Sequence, residues 1–214
     1  MYAMVCTRPD ICQAVGLVSR YQTDSSLAHW QAVKRIMISL KGTADYAICY
    51  QGCKDLRLVG YSDVDHGGDL DERKSTSKYV FLLSDGAISW SSKKQSCVSL
   101  STMEAEYMAL ASAAQEDIWL KKCLEHLLDI AENTEAVLVY CDSEAAISST
   151  KDPKFYCKTK YIDIKYNYVR DMIKCKVVNV KYVSTKDMLA DPLTKPLSRD
   201  AFVRYTRSQG LHRL

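Results

Sequence analysis

Long apolar runs are absent from this chain, and none approaches the ~20 residues that a membrane-spanning helix needs. The first twenty residues also lack the charged-then-apolar order of a secretory signal. Both absences point to a cytosolic or nuclear protein. Histidine is scarce, at four residues, and no Cys-x-x-Cys pair occurs, the closest cysteines being Cys49 and Cys53. A structural zinc site is therefore not expected. The nine cysteines are odd in number and irregularly spaced, which argues against a disulfide framework and for buried, reduced thiols.

What is present is an ordinary globular composition, with 47% apolar and 26% charged residues in a chain of 214. That is enough for one core with an appendage, or for two small domains. The net charge of +3 is unevenly spread. Residues 151–186 carry ten basic side chains, nine lysines and Arg170, against Asp152, Asp163 and Asp171. Tyr156, Tyr161, Tyr166 and Tyr168 are interleaved with them. Basic groups with aromatic neighbours suit a phosphate backbone. A solvated helix face carries the same pattern, and composition leaves both open.

Residues 1–42 read as a small helical segment. "RPDICQAVGLVSRY" spaces Ile11, Val15 and Val18 for a helix, with Asp10 as the expected N-cap. "SSLAHWQAVKRIMISLKG" puts Leu27, Trp30, Val33, Met37 and Leu40 in one stripe and ends at Gly42. Two such helices are a thin core, so they must lean on something else. From residue 45 the period falls to two, and "YAICYQG" and "LRLVGYSD" read as strands. "KYVFLLSDGAISWSS" predicts a hairpin around Asp85-Gly86, and "SCVSL" extends the sheet. A long helix follows near 102–130, then "AVLVYCDS", an almost wholly apolar strand of the kind covered on both faces. Helices at 143–150 and 159–174, a strand in "KVVNVKYVS", a short helix near 187–191 and an amphipathic segment at 198–209 complete the chain. The order predicts an α/β fold, a mixed sheet with helices on its faces.

Acidic residues fall at the ends of these elements. Asp63 and Asp65 close the first long strand, and Glu104 and Glu106 lie in the first turns of the long helix. Asp142 ends the apolar strand, and Asp191 precedes a proline in "MLADPLTK". Carboxylates that converge beyond strand ends make an oxygen-rich site for a hard cation such as Mg²⁺. Two such ions about 4 Å apart suit in-line attack of water on a phosphodiester. Acidic residues also favour helix N-termini and turns on their own account, so placement alone does not decide.

The motifs are more specific. "GYSDVDHGGDLDERKSTS", "ISWSSKKQSCVSLSTMEAEYMAL", "VYCDSEAAI", "TKYIDIKYNYVRD" and "ADPLTKPL" resemble, in order, the ribonuclease H domain of copia-type retrotransposon Pol polyproteins. "YAMVCTRPDICQAVGLVSRY" and "HWQAVKRIMISLKGTADYAICY" resemble the C-terminal tail of the reverse transcriptase that precedes it. The resemblance implies three parts: a reverse-transcriptase tail at 1–50, a ribonuclease H-like domain at 51–197 and a C-terminal helical tail at 198–214. It implies a five-stranded mixed sheet and hydrolysis of the RNA strand of RNA–DNA hybrids with two Mg²⁺ ions, for which Mn²⁺ could substitute. The four metal-holding carboxylates map onto Asp63, Glu106, Asp142 and Asp191, with Asp65 as an accessory. "MEAEY" makes the helix position ambiguous. "EYMA" fits the Glu-apolar-x-Ala pattern of ribonucleases H, which favours Glu106, with Glu104 as the alternative. Lys93, Lys94, Lys158, Lys160, Lys165 and Arg170 are the expected contacts to hybrid backbone, and other parts of a polyprotein are further partners.

Several positions depart from the copia pattern: His66 replaces a Trp, Lys78 a Gly, Tyr161 and Asn167 two His. A glycine at 78 could have had positive φ, so Lys78 is expected to strain a turn. No "YVDD"-type polymerase strand, protease or integrase zinc motif is present, and the chain reads as a fragment of such a polyprotein. An active ribonuclease H is the leading expectation. A relic that binds nucleic acid or protein without cutting is its rival, and a transposase-like nuclease fits the motifs less well.

Overall fold

The computed structural model describes residues 1–50, 52, 56–69, 71–128, 136–151, 160–193 and 198–214. Helices α1 (Tyr2–Cys6), α2 (Cys12–Ser19) and α3 (Leu27–Gly42) lead into a short strand, β1 (Tyr46–Ile48). Then come β2 (Leu58–Asp65), β3 (Thr76–Leu83), β4 (Gly86–Lys94), α4 (Thr102–Leu128) and β5 (Val137–Cys141). Helices α5 (Glu144–Lys151) and α6 (Lys160–Lys174), β6 (Val178–Tyr182), α7 (Arg199–Ser208) and β7 (Leu211–Arg213) follow. The main sheet has five strands in the order β4-β3-β2-β5-β6. Its first three strands pair antiparallel, and β2, β5 and β6 run parallel. The expected mixed α/β sheet is therefore present, and β2, β5 and β6 all release their C-termini at one edge.

Each face of the sheet has its own core. Helix α4 covers one, burying Tyr107, Leu110, Ala111, Ala113 and Ala114 against Phe81, Val139, Val169 and Val178. Small alanines let this helix approach the sheet closely. Gly60 serves the same end within the sheet, because a Cβ there would meet the Phe81 ring at 2.5 Å. On the other face Val80, Leu82 and Ala87 pack with Met188, Ala190 and Leu193, and with Cys12 from α2. Trp90 of β4 donates its indole N–H to the Met4 carbonyl at 2.7 Å. The N-terminal helices thus lean on the back of the sheet.

Several local expectations are corrected. Asp10 is not an N-cap: its carboxylate takes two hydrogen bonds from the Arg8 guanidinium, at 2.8 and 2.7 Å, and α2 begins at Cys12. Leu27, Trp30 and Met37 of the predicted stripe are exposed, and α3 packs chiefly against α2 rather than against the sheet. The hairpin turn is Ser84-Asp85, both at positive φ, rather than Asp85-Gly86. Gly86 already belongs to β4, where a Cβ would strike the Tyr50 ring at 2.4 Å. "SCVSL" forms no strand: the Gln95 amide ends the ladder on the Ser75 carbonyl, and the chain turns toward α4. The predicted helix at 187–191 is two 3₁₀ turns, Thr185–Asp187 and Asp191–Leu193. Lys78 lies in β3, not in a turn, so no glycine-like backbone is demanded of it. The C-terminal segment ends as a strand, with β7 pairing antiparallel to β1 and tying residues 211–213 to the segment that follows α3. No helix among the described residues is long and apolar enough to cross a membrane.

One buried charge sits outside the sheet edge. Asp117 of α4 is fully enclosed, and neither carboxylate oxygen accepts a hydrogen bond among the described residues. Burial pushes its carboxyl up to about 7, with Lys121 one turn on pulling it back. A carboxyl raised in the folded state gives stability that is present below about pH 4 and lost as pH climbs through about 7. Asp117→Asn should leave the melting temperature near pH 4 almost unchanged and raise it at pH 8. Thermal denaturation across that range checks this, and a variant that tracks the wild type at every pH refutes it.

Candidate metal centre

Strand register builds the site. The last β2–β5 pair is Ser62 with Cys141, so Asp63 and Asp142 leave two adjacent parallel strands at neighbouring positions. Asp191 comes to the same edge from the turn after β6, where Pro192 is tolerated because it opens a 3₁₀ turn. Glu106 reaches in from the second turn of α4. Asp63 and Asp191 are each 5% exposed, so these charges are held largely away from water.

Asp63 and Glu106 both feel neighbouring carboxylates. Asp63 is pushed up to about 6, by burial first and then by Asp142 and Asp191, with Lys78 opposing. Glu106 is pushed up to about 9, by burial first and then by Asp63 and Asp142. One ligand atom from each of Glu106, Cys141 and Asp142 lies within 4.8 Å of the other two. The Cys141 thiol is driven up to about 12 by burial and then by Glu106, which keeps it protonated. A protonated thiol is a poor ligand for a hard cation, and the donor set that remains is oxygen.

Neighbouring residues fix these groups. The Thr185 hydroxyl donates to Asp142 Oδ2 at 2.9 Å. Buried Gln95 donates its side-chain amide to Ser77 Oγ at 2.8 Å and to the Ala105 carbonyl at 2.9 Å, tying the first turn of α4 to the sheet. Neither residue was singled out in the sequence, where a lone Thr or Gln carries no signal. Cys141 had one, as the last residue of the apolar strand before Asp142. Lys78 stands directly opposite Asp63 in the β2–β3 register, and its Nζ lies 3.8 Å from Asp63 Oδ2.

The remaining site candidates are placed elsewhere. Glu104 accepts a hydrogen bond from the Leu100 amide at 2.8 Å, while its own amide bonds Ser101 Oγ at 3.2 Å. That is a helix-capping arrangement, readable in "STME", and it turns Glu104 away from the carboxylates. Asp65 folds over the following turn, where a Cβ on Gly68 would strike its carboxylate. Lys94 is held by Asp69 at 2.9 Å and by Glu72 at 2.5 Å. Lys93 and Lys165 line a cleft of about 510 Å³ between the β3–β4 hairpin and α4. Arg170 is half-buried on α6; Lys158 and the Lys160 side chain lie outside the described residues.

The strand order, with a central strand antiparallel to one neighbour and parallel to the other, places the fold in the ribonuclease H-like class. The N-terminal RNase H domain of rv2228c from Mycobacterium tuberculosis superposes on 72% of this chain and 99% of its own, at 15% identity and a TM-score of 0.47. No protein-family model matches the sequence. The retrovirus-related Pol polyprotein from transposon TNT 1-94 of Nicotiana tabacum is 45% identical over 212 residues, 99% of this chain. Secreted RxLR effector protein 161 of Plasmopara viticola is 49% identical over 120 residues, 84% of that protein and 56% of this chain. Over nearly its whole length the chain is homologous to copia-type retrovirus-related Pol polyproteins from transposons. It spans 16% of the tobacco polyprotein's length.

Raised carboxyls fix the pH dependence of the metal-free site. Asp63 and Glu106 give stability that is present below about pH 4 and lost as pH rises through about 6 and about 9. Metal-free protein should therefore melt at progressively lower temperature between pH 5 and 9. Glu106→Gln should remove the upper part of that decline, above about pH 6. Denaturation in chelator across the range measures it, and an unchanged slope in the variant contradicts it.

Proposed function

We propose that this chain is a metal-dependent ribonuclease H that hydrolyses the RNA strand of RNA–DNA hybrids. The observation that carries the reading is the convergence of Asp63, Glu106, Asp142 and Asp191 from four separate elements at one sheet edge. The residues present fit a divalent cation: all four offer hard oxygen, and Glu106 Oε2 is buried without a hydrogen-bond partner among the described residues. Bound there, Mg²⁺ or Mn²⁺ would supply Lewis-acid charge and an acidified water at the phosphodiester.

The chain's own groups do the rest. Asp63 and Asp142 present oxygens from adjacent strand ends, and Glu106 and Asp191 close the set from a helix and a turn. Thr185 keeps Asp142 oriented, and Gln95 holds the start of α4 in register with the sheet. Lys93 and Lys165 sit beside serine and glutamine side chains in their cleft, a lining suited to a phosphate backbone. Phosphate contacts of this kind position a substrate without reading its sequence.

A second reading, hybrid binding without cleavage, draws on one observation: an ammonium already stands beside Asp63. Incubation with an end-labelled hybrid in millimolar Mg²⁺ separates the two. Cleavage should occur, and Asp142→Asn should abolish it while metal-free binding of the hybrid survives, because an amide is a much poorer ligand than a carboxylate. Mg²⁺ should also raise the melting temperature, since an ion that binds only the folded state stabilises it. Replacing Lys93 and Lys165 by Ala should weaken binding and flatten its salt dependence by about one unit of log–log slope per lost contact. Binding with no cleavage in either Mg²⁺ or Mn²⁺ would favour the second reading.

A further inference from the structure

We propose that Lys78 is a built-in counter-ion of the carboxylate cluster, which takes over Asp63 and leaves room for one divalent ion rather than two. This rests on reading the cluster as a metal site. Lys78 is wholly enclosed, at 0% exposure, although lysine is among the residues least often buried. It lies on the central pair of antiparallel strands, opposite Asp63 in register, with 3.8 Å between Nζ and Oδ2. The partner carboxylate is itself 7% exposed, so neither group can exchange the other for water. The same ammonium acts on Glu106 across the cluster. It therefore neutralises the part of the site that lies toward β3.

A tethered charge differs from a dissolved one. The ammonium is delivered by the strand itself, so its presence does not depend on concentration. A divalent ion bound to Asp63 would sit about 2 Å from the carboxylate oxygen. That places it within a few ångströms of Nζ, where two cations repel in a poorly solvated setting. Glu106 and Asp142, whose ligand atoms lie within 4.8 Å of each other, keep the capacity for one ion. The lysine stem is enclosed by the sheet, which prevents the charge from swinging aside when an ion arrives.

Mn²⁺ titration, followed by calorimetry or by the loss of free-ion paramagnetic resonance, reads this directly and requires no turnover. The wild type should bind one Mn²⁺ per chain. Lys78→Met keeps the unbranched stem and removes the charge; it should bind a second ion, and bind the first roughly tenfold more tightly as the repulsion is lifted. Lys78→Gly should behave alike, and the Met variant answers the question if the Gly variant does not fold. Lys34→Met, on exposed α3, should match the wild type. Two ions in the wild type, or unchanged stoichiometry and affinity in Lys78→Met, overturns the counter-ion role. The metal reading itself survives that result as long as Asp142→Asn loses the ion. Absence of Mn²⁺ binding in wild type and both Lys78 variants overturns the metal reading and the counter-ion together.

Discussion

Repulsion among carboxylates is the constraint around which the sheet edge is organised. Asp63, Glu106, Asp142 and Asp191 are drawn together by the strand order, and each is partly removed from the water that would otherwise screen it. Two responses are visible without any ion. Glu106 keeps its proton well above the usual carboxylate range, and Asp63 keeps a lysine across the strand. Burial outweighs the lysine at Asp63, whose carboxyl is still raised despite the nearby ammonium. The edge is thus strained toward positive charge, which is the physical condition for a cation to bind.

The scaffold explains why that strain is tolerated. Both faces of the sheet carry apolar cores, with α4 on one side and α2 with the 188–193 segment on the other. Gln95 and Thr185 then spend their hydrogen bonds on locating the start of α4 and the Asp142 carboxylate. Positioning by neutral donors adds no charge to a site that already has too much of one sign.

Most of the fold was legible because it rests on local signals. Period-two runs marked β2, β3 and β4, the apolar run "VLVYC" marked a covered strand, and the long helix followed its alanine-rich face. What escaped depends on contacts between distant segments. The hairpin turns at Ser84-Asp85, and the glycine that follows is required by the Tyr50 ring over it rather than by the turn. The β1–β7 pair joins residues 46–48 to residues 211–213, and no periodicity announces so distant a partner. The stripe on α3 is apolar as its spacing indicates, yet Leu27, Trp30 and Met37 are exposed, since periodicity shows which face is apolar and not whether anything covers it.

The site divides in the same way. Carboxylates at element ends are visible in one dimension, and the choice between Glu104 and Glu106 turns on capping: an acid three residues beyond Ser101 is already engaged by the helix start. Lys78 is the opposite case. In the sequence it is a charged residue in a strand, to be explained as surface or as a lost glycine; only the β2–β3 register shows that it faces Asp63. A substitution that looks like drift in a motif can therefore change the charge of a site directly, because a strand delivers its side chain to whatever stands opposite. Of the departures from the family pattern, His66 and Asn167 are exposed, whereas Lys78 is enclosed and enters the cluster. The consequence of each replacement follows from where its side chain ends, and not from how far it strays from the motif.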